Sequence, residues 1–330
     1  MIKEKKINIM TQENNSTFNI QHSSLENLAP IVLFVYNRPD HTKQTVEALQ
    51  KNELAIDSEL FIYSDAAKNE TAEQKVNEVR QYIKNIDGFK KVTIVEREKN
   101  WGLANSIIDG VTKIVNEYGK IIVLEDDLVT SPYFLKFMNE ALEFYKDEEK
   151  VWHISGWNYP IYSEEKNETF LWKKMNCWGW STWKSKWEYF EKKPKELINS
   201  FKNNEIKEFD LDGIDFNWQQ IIKNYDKQIN TWAVFWHASI FKNKGLCLNP
   251  YTSFVTNIGH DGSGVHCGNS YEKDIEILNY SNKIHFTNDI LENKIQKDLI
   301  IKYLKSKKKN ILIRILNKLA RISFGKNLIK

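Results

Sequence analysis

Short, wholly apolar runs alternate with longer amphipathic stretches through the first 130 residues of the chain. Ile31-Val32-Leu33-Phe34-Val35-Tyr36, Leu60-Phe61-Ile62-Tyr63, Val92-Thr93-Ile94-Val95 and Ile121-Ile122-Val123-Leu124 each read as a strand, and the last, with no polar member, as a buried strand of a parallel sheet. Pro30 introduces the first run, and Asn37-Arg38-Pro39-Asp40 ends it, because proline and the Asx residues terminate pairing. Between the runs, apolar residues recur every three or four positions (Val46 and Leu49; Val76, Val79 and Ile83). This spacing predicts helices over 42–51, 71–86 and 106–118. Strands alternating with helices predict βαβ units, hence an α/β fold on a mostly parallel sheet. Neither a GxGxxG nor a GxxxxGK[ST] loop follows any strand, so the dinucleotide-binding and P-loop classes fall away.

The fourth run ends in Glu125-Asp126-Asp127. Three carboxylates cannot continue into an apolar core, since burying unpaired charge costs several kcal/mol or more. They must emerge where the strand stops, and the carboxyl ends of strands are where open α/β sheets bind ligands. Clustered hard oxygen donors suit Mg²⁺ or Mn²⁺, ions often held by one or two carboxylates together with substrate phosphates. The competing reading is an acidic strand end that merely opens a helix.

Composition changes this picture in three ways. Hydrophobic content of 41% and aromatic content of 13% supply a sizeable core, which excludes a disordered chain. Seven of the 11 tryptophans lie between Trp152 and Trp187. Trp180, Trp183 and Trp187 repeat at helical spacing and read as buried packing, whereas Trp157 and Trp178 are candidates for a ligand pocket, with Gly156 and Gly179 allowing close backbone approach. The charge is uneven: ten Lys/Arg and no acid fall between Lys302 and Lys330, so a formal net charge of +3 for the whole leaves −7 for the rest. From about Lys297 the chain reads as helical with a break near 306–310. Ile311, Ile315, Leu316, Leu319 and Ile322 fall on one side, and Arg314, Lys318 and Arg321 on another. This pattern suits either an anionic membrane surface, through 302–330, or packing on the body. The α/β half has no basic stripe, so no nucleic acid is expected. Cys177, Cys247 and Cys267 match no zinc spacing and suggest a reducing compartment. No apolar run approaches the roughly 18–20 residues of a membrane span. The charged start lacks the apolar stretch of a secretory signal, so the expected location is cytoplasmic.

The ordered series Asn37-Arg38-Pro39, Ser64-Asp65, Trp101-Gly102-Leu103 and Glu125-Asp126-Asp127-Leu128 resembles the GT-A glycosyltransferase pattern. It is similar to bacterial family 2-like enzymes for surface polysaccharides and, more distantly, to the N-acetylglucosaminyltransferase I group. The similarity runs on through Ser131-Pro132-Tyr133-Phe134, Ile154-Ser155-Gly156-Trp157-Asn158, Cys177-Trp178-Gly179-Trp180 and Asn257-Ile258-Gly259 to His266, about residues 30 to 270. The resemblance implies a metal-dependent, inverting glycosyltransferase that takes a nucleotide-sugar, a UDP-sugar by preference, to a glycan or lipid-linked acceptor. It implies Arg38 against the nucleotide or its diphosphate, Asp65 on the uracil, Glu125 and Asp126 on ribose and donor sugar, and Asp127 on Mn²⁺ or Mg²⁺. An incomplete coordination sphere leaves room for a histidine: His266 is the candidate and His260 its rival. An acceptor-side carboxylate would be the base, with Asp215 the candidate and a raised pKa expected from partial desolvation. Asp210 and Asp212 are rivals, and here Phe216 and Asn217 stand before Trp218 where the group has two adjacent acids. The expected organisation is a leader over 1–28, a nucleotide-sugar half over 29–158, an acceptor-side half over 159–290 and a basic helical tail over 291–330. Two other readings stay open: a glycan-binding protein on an inactive transferase fold, and a sugar-phosphate nucleotidyltransferase, which would want a Gly-rich phosphate loop.

Overall fold

The computed structural model describes residues 27–161, 168–261 and 284–308. The first half alternates strand and helix: β1 (Ile31–Val35), α1 (Pro39–Gln50), β2 (Glu59–Ser64), α2 (Glu70–Ile83), β3 (Lys91–Glu96), α3 (Leu103–Tyr118) and β4 (Lys120–Glu125). Every residue of β1 is buried, and its neighbours on both sides are parallel, Ile31 facing Leu60 of β2 and Ile122 of β4. A strand covered on both faces has no polar side to expose, which accounts for the unbroken apolar runs. Helix α1 starts with Pro39, whose missing N–H costs nothing in a first turn. Asn69 caps α2 by accepting from the Ala72 amide at 3.2 Å.

The chain then runs through β5 (Leu128–Thr130), α4 (Phe134–Phe144), β6 (Val151–Ser155), β7 (Thr169–Trp172) and β8 (Trp180–Trp183). Four short helices follow the brief α5 (Lys184–Trp187): α6 (Pro194–Ser200), α7 (Asn203–Phe209), α8 (Asn217–Tyr225) and α9 (Ala233–Lys242). Strands β9 (Leu246–Pro250) and β10 (Val255–Asn257) complete the set, and a further helix covers 294–308. Eight strands form one sheet in the order β3-β2-β1-β4-β8-β6-β9-β7. Its first four strands are all parallel; beyond them β8 is antiparallel to β4 and β6, β6 is parallel to β9, and β7 is antiparallel to β9. One sheet therefore crosses the boundary expected at 158/159, since β6 joins its neighbours from the later segment.

The tryptophans are packing residues, as expected, but not on a helix. Trp180 and Trp183 belong to β8, and only Trp187 lies in α5. Spacing of three suits a strand and helix in succession as well as one helix. Trp180 stacks on Trp232 at 5.3 Å and Trp187 on Phe190 at 4.5 Å, filling the core on one face of the sheet.

The helix over 294–308 packs against the body. Ile300 is fully buried in that same core, with Ile301 and Leu304 against it, and Asn293 donates its amide to the Leu171 carbonyl at 2.7 Å. It stays helical through 308, into the stretch 306–310 where a break is expected; the rest of that stretch and the apolar positions from Ile311 to Ile322 lie outside the described residues. Among the described residues no helix is long and apolar enough to cross a membrane.

Candidate active site

All four parallel strands release their chains at one edge of the sheet, so Tyr36–Arg38, Asp65, Arg97 and Glu125–Asp127 emerge side by side. The antiparallel ribbon of β5 and β10 folds the later chain back over this edge, setting Asn257 opposite Leu128. Ile258 then donates its amide to the Asp127 carbonyl at 2.8 Å. Gly259 follows so closely that a Cβ there would overlap Asp127 Oδ2 and stand 3.0 Å from Arg38 Nη1. Only glycine fits, because the backbone itself forms the wall of the site.

The trio is desolvated. Asp126 and Asp127 are 3% and 5% exposed and Glu125 is half-buried at the end of β4. Arg38, at the N-cap of α1, is the cation against them, bonded to Asp126 and 3.0 Å from Asp127 Oδ2. The Tyr36 amide also donates to Asp126 at 3.3 Å, and Thr45 holds the Asp126 carbonyl at 2.9 Å. Burial, then the Asp127 and Asp126 charges, push the Glu125 carboxyl up to about 8. Burial also lifts Asp126, to about 6, against the opposing pull of Arg38. Burial works against the Arg38 charge as well, yet Asp126 and Asp127 hold its pKa above the ordinary value. One guanidinium thus faces three carboxylates, a donor set with an unmet demand for positive charge.

That set fits a divalent cation. The oxygens are hard and clustered, and the glycine-walled cradle beside Asp127 leaves an approach that a side chain would fill. Among the described residues no three His, Cys, Asp or Glu side chains already form a coordination group, so any bound ion would need donors from its ligand as well. His266 lies outside the described residues.

Asp65 is buried and its carboxylate is occupied. It accepts from the Trp101 and Gly102 amides at 2.9 Å each, from Asn100 Nδ2 at 3.1 Å and from the Ala66 amide at 3.0 Å. The Asx turn and the loop clamp are what the structure displays, with the 100–102 loop shaped by Asp65. Beside that loop Arg97 lies over the Trp101 ring at 4.0 Å and pairs with Asp109.

The tryptophan candidates divide. Trp157 is 5% exposed, edge-on to Trp178 at 4.6 Å, with its indole N–H unpartnered among the described residues, so its ring belongs to the core rather than to an open platform. Trp178 is half-buried and meets the His260 ring at 5.4 Å. The close approach at Gly156 and Gly179 serves Phe134: a Cβ would meet that ring at 2.6 and 2.9 Å.

Asp215 sits just ahead of α8, where its carboxylate is paired with Lys174. It also accepts from the Phe216 amide at 2.8 Å and from Asn217 Nδ2 at 3.2 Å. The expected raised pKa is corrected. Burial does push it up, but the Lys174 charge and hydrogen bond, with the Phe216 amide, win and hold it at about 2. Asp210 caps α8 by accepting from the Trp218 amide at 2.8 Å, and burial raises its pKa. Asp212 is exposed, in a left-handed conformation. Sequence reasoning passed over Lys174. Its signal was a lysine amid Trp172, Met175 and Trp178, a place where a charge needs a partner. The 173–179 segment links this pair to the trio: Trp180 faces Val123, so the residues before it run past the end of β4. The Cys177 thiol, pushed up to about 12 by burial and then by Glu125, feels Asp127 and Lys174 too.

The model of the GNT-I family matches residues 1–195. No curated protein matches. Among solved structures, the mannosyltransferase PcManGT from Pyrobaculum calidifontis, in complex with GDP-Man and Mn²⁺, aligns with TM-score 0.35 and 11% identity over 54% of this chain and 49% of that one. S. aureus TarS 1-349 aligns with TM-score 0.37 and 10% identity over 68% and 59%. TarS 1-349 in complex with UDP aligns with TM-score 0.29 and 16% identity over 43% and 40%. The chain spans between two fifths and three fifths of the length of these structures, and all three likenesses are remote.

Proposed function

The chain belongs to the GNT-I family, a family of glycosyltransferases, and from that premise we propose that it transfers a sugar from a nucleotide-sugar to a glycan or lipid-linked acceptor. A UDP-sugar is the donor we favour, a divalent cation, Mn²⁺ or Mg²⁺, the cofactor, and surface polysaccharide synthesis the setting. The observation that carries this reading is the desolvated Glu125-Asp126-Asp127 trio, answered among the described residues by Arg38 alone, at the carboxyl edge of the parallel strands.

In this reading Asp127, beside the gap that Gly259 leaves, would hold the cation. Such an ion, when bound, neutralises charge that develops on a departing diphosphate. Arg38 stands between the trio and the approach to it, where a guanidinium can turn from Asp127 to a phosphate oxygen. Asp65 fixes the 100–102 loop, so a nucleobase would meet the backbone and the Trp101–Arg97 stack that Asp65 positions. Trp178, half-buried over this edge, would line the donor-sugar pocket. On the acceptor side Asp215 is the base we propose for the acceptor hydroxyl. With Lys174 bound to it, the carboxylate is a weak base, so it works in this reading only as the acceptor's hydroxyl replaces part of that pairing. Inversion at the anomeric carbon belongs to the same proposal.

The test is release of nucleoside diphosphate from a panel of UDP- and GDP-sugars with Mn²⁺, in wild type and Asp127→Asn. Turnover of at least one donor that the substitution removes supports the reading. Turnover of none, together with no binding of any nucleotide, contradicts it.

A further inference from the structure

The loop ahead of α8 is strained and ends in an exposed ring. Leu211, Asp212 and Gly213 take three successive positive φ angles, 49°, 59° and 82°, a conformation that L side chains avoid and that clusters at functional sites. The run buries Leu211 and turns Asp215 and Phe216 toward solvent. Phe216 is 64% exposed, and its amide, donated to Asp215 Oδ1 at 2.8 Å, ties the carboxylate to the backbone that carries the ring. Lys174 meets Asp215 from the inner side: the Lys174 side chain is 10% exposed and that of Asp215 30%, so the carboxylate keeps an open flank. Lys308, at the end of the helix over 294–308, lies with Nζ 4.2 Å from the centre of the Phe216 ring. Lys305 and Lys302 stand three and six positions before it, and three-residue spacing on a helix makes them neighbours along one ridge. Lys297 is answered by Glu292 at 3.4 Å, but among the described residues no carboxylate pairs with Lys302, Lys305 or Lys308. Like charges in a ridge repel, so this one has an unmet demand for an anion, and its inner end lies on an aromatic face beside Asp215.

We infer that the acceptor carries a phosphate group, held by Lys305 and Lys308 while a sugar ring lies on Phe216, and that this seat brings a hydroxyl to the open flank of Asp215. The inference rests on the reading of Asp215 as the base. A flat apolar ring suits the C–H face of a sugar. Ammonium groups bind phosphate as point charges, whereas planar two-point recognition of a carboxylate calls for arginine, and residues 284–308 contain none. A phospholipid headgroup offers the same phosphate chemistry. The phosphorylated saccharide is the occupant that fits the inner end of the ridge, because that end combines the cations with an aromatic face and a carboxylate.

The experiment replaces Phe216 by para-fluorophenylalanine in the full chain and follows the fluorine resonance during titration with inorganic phosphate, α-glucosyl phosphate or phosphatidylglycerol vesicles. EDTA is present, so that no cation bridges phosphate to the acidic trio. Both soluble probes are expected to give a saturable shift. Lys308→Glu should abolish it and Lys305→Glu weaken binding about tenfold, while Lys75→Glu, exposed on α2, leaves it unchanged. Saturation-transfer NMR reads the ring: transfer from protein to the C–H protons of α-glucosyl phosphate should fall in Phe216→Ala, and undiminished transfer overturns the place given to the sugar. No shift with either soluble probe, or a shift that survives both lysine reversals, overturns the inference. So does a response to vesicles alone, which assigns the ridge to a membrane surface. Turnover in the donor panel without a phosphate response removes the inference and leaves the transferase reading standing. A phosphate response in a chain that turns over no donor upholds a phosphate site and overturns the transferase reading, and with it the acceptor's place there.

Discussion

A single missing atom decides how near the backbone comes to Asp127. Gly259→Ala would place a methyl within 2.3 Å of Asp127 Oδ2 and 3.0 Å of Arg38 Nη1, so the Asp127 carboxylate, the Arg38 guanidinium or the turn itself must shift. We expect UDP binding in the presence of Mn²⁺ to weaken at least tenfold, or about 1.4 kcal/mol, with little change in thermal midpoint; unchanged binding would remove Gly259 from the site. Glu125 makes a second prediction through linkage. Its folded pKa, about 8, exceeds the ordinary value of 4.5, so between these pH values the folded state binds more protons than the unfolded. Stability must then fall as pH rises through that window. Glu125→Gln, which cannot ionise, should match wild type near pH 5 and exceed it at pH 9 by on the order of 1 kcal/mol. Equal midpoints at pH 9 would mean that Glu125 is not held in a desolvated, negative setting. The acidic trio was legible as residues, because carboxylates ending an apolar run can only mark a strand end. The pressure on them was not, since it depends on Arg38 and on the arrival of Gly259, 132 positions after Asp127 in the chain.

Among elements, β1, β2 and β4 were plain in the sequence because buried strands read as unbroken apolar runs, and β3, half-buried at the sheet edge, followed from its β-branched residues. The second half was opaque for the opposite reason. Trp180, Trp183 and Trp187 satisfy a helical spacing and a strand-to-helix junction equally, and pairing with β4, the fact that distinguishes them, is a long-range event. The acceptor-side carboxylate shows the same limit. Asp215 was found by its place before α8, while its partner Lys174 arrives from the β7–β8 connection. A lowered Asp215 pKa contributes stability that is present above the unfolded value of 3.8 and is lost as pH falls toward 2. Lys174→Met should therefore destabilise the fold by about 1–3 kcal/mol at pH 7 and shrink that penalty below pH 3. A pH-independent penalty would assign Lys174 to packing alone. For the reaction, Asp215→Asn should lower turnover by about 10²–10⁴-fold without weakening UDP binding. Near-normal turnover would remove Asp215 as the base.

On the scale of the whole molecule, one eight-stranded sheet takes strands from both the earlier and the later parts of the chain, so the two share one frame. The helix over 294–308 is fastened to that frame by Ile300, yet it turns Ile295, 74% exposed, outward with Leu299 on the same i, i+4 row, and Leu291 is exposed just before the helix begins. Lys294, Lys302 and Lys305 are exposed on this helix and the strongly basic segment follows it. We propose that this face rests on an anionic membrane, where each basic residue near the surface adds ~1 kcal/mol. Replacing Leu291, Ile295 and Leu299 all with Glu should abolish flotation with phosphatidylserine vesicles; equal flotation would exclude this face.

The central claim is a cation-assisted nucleotide site built on Asp127, and calorimetric titration of UDP with and without Mn²⁺ tests it most directly. The account predicts that Mn²⁺ tightens UDP binding to wild type and that Asp127→Asn abolishes the gain while leaving the fold intact. UDP binding that is identical with and without Mn²⁺, or a gain that survives the substitution, would contradict it.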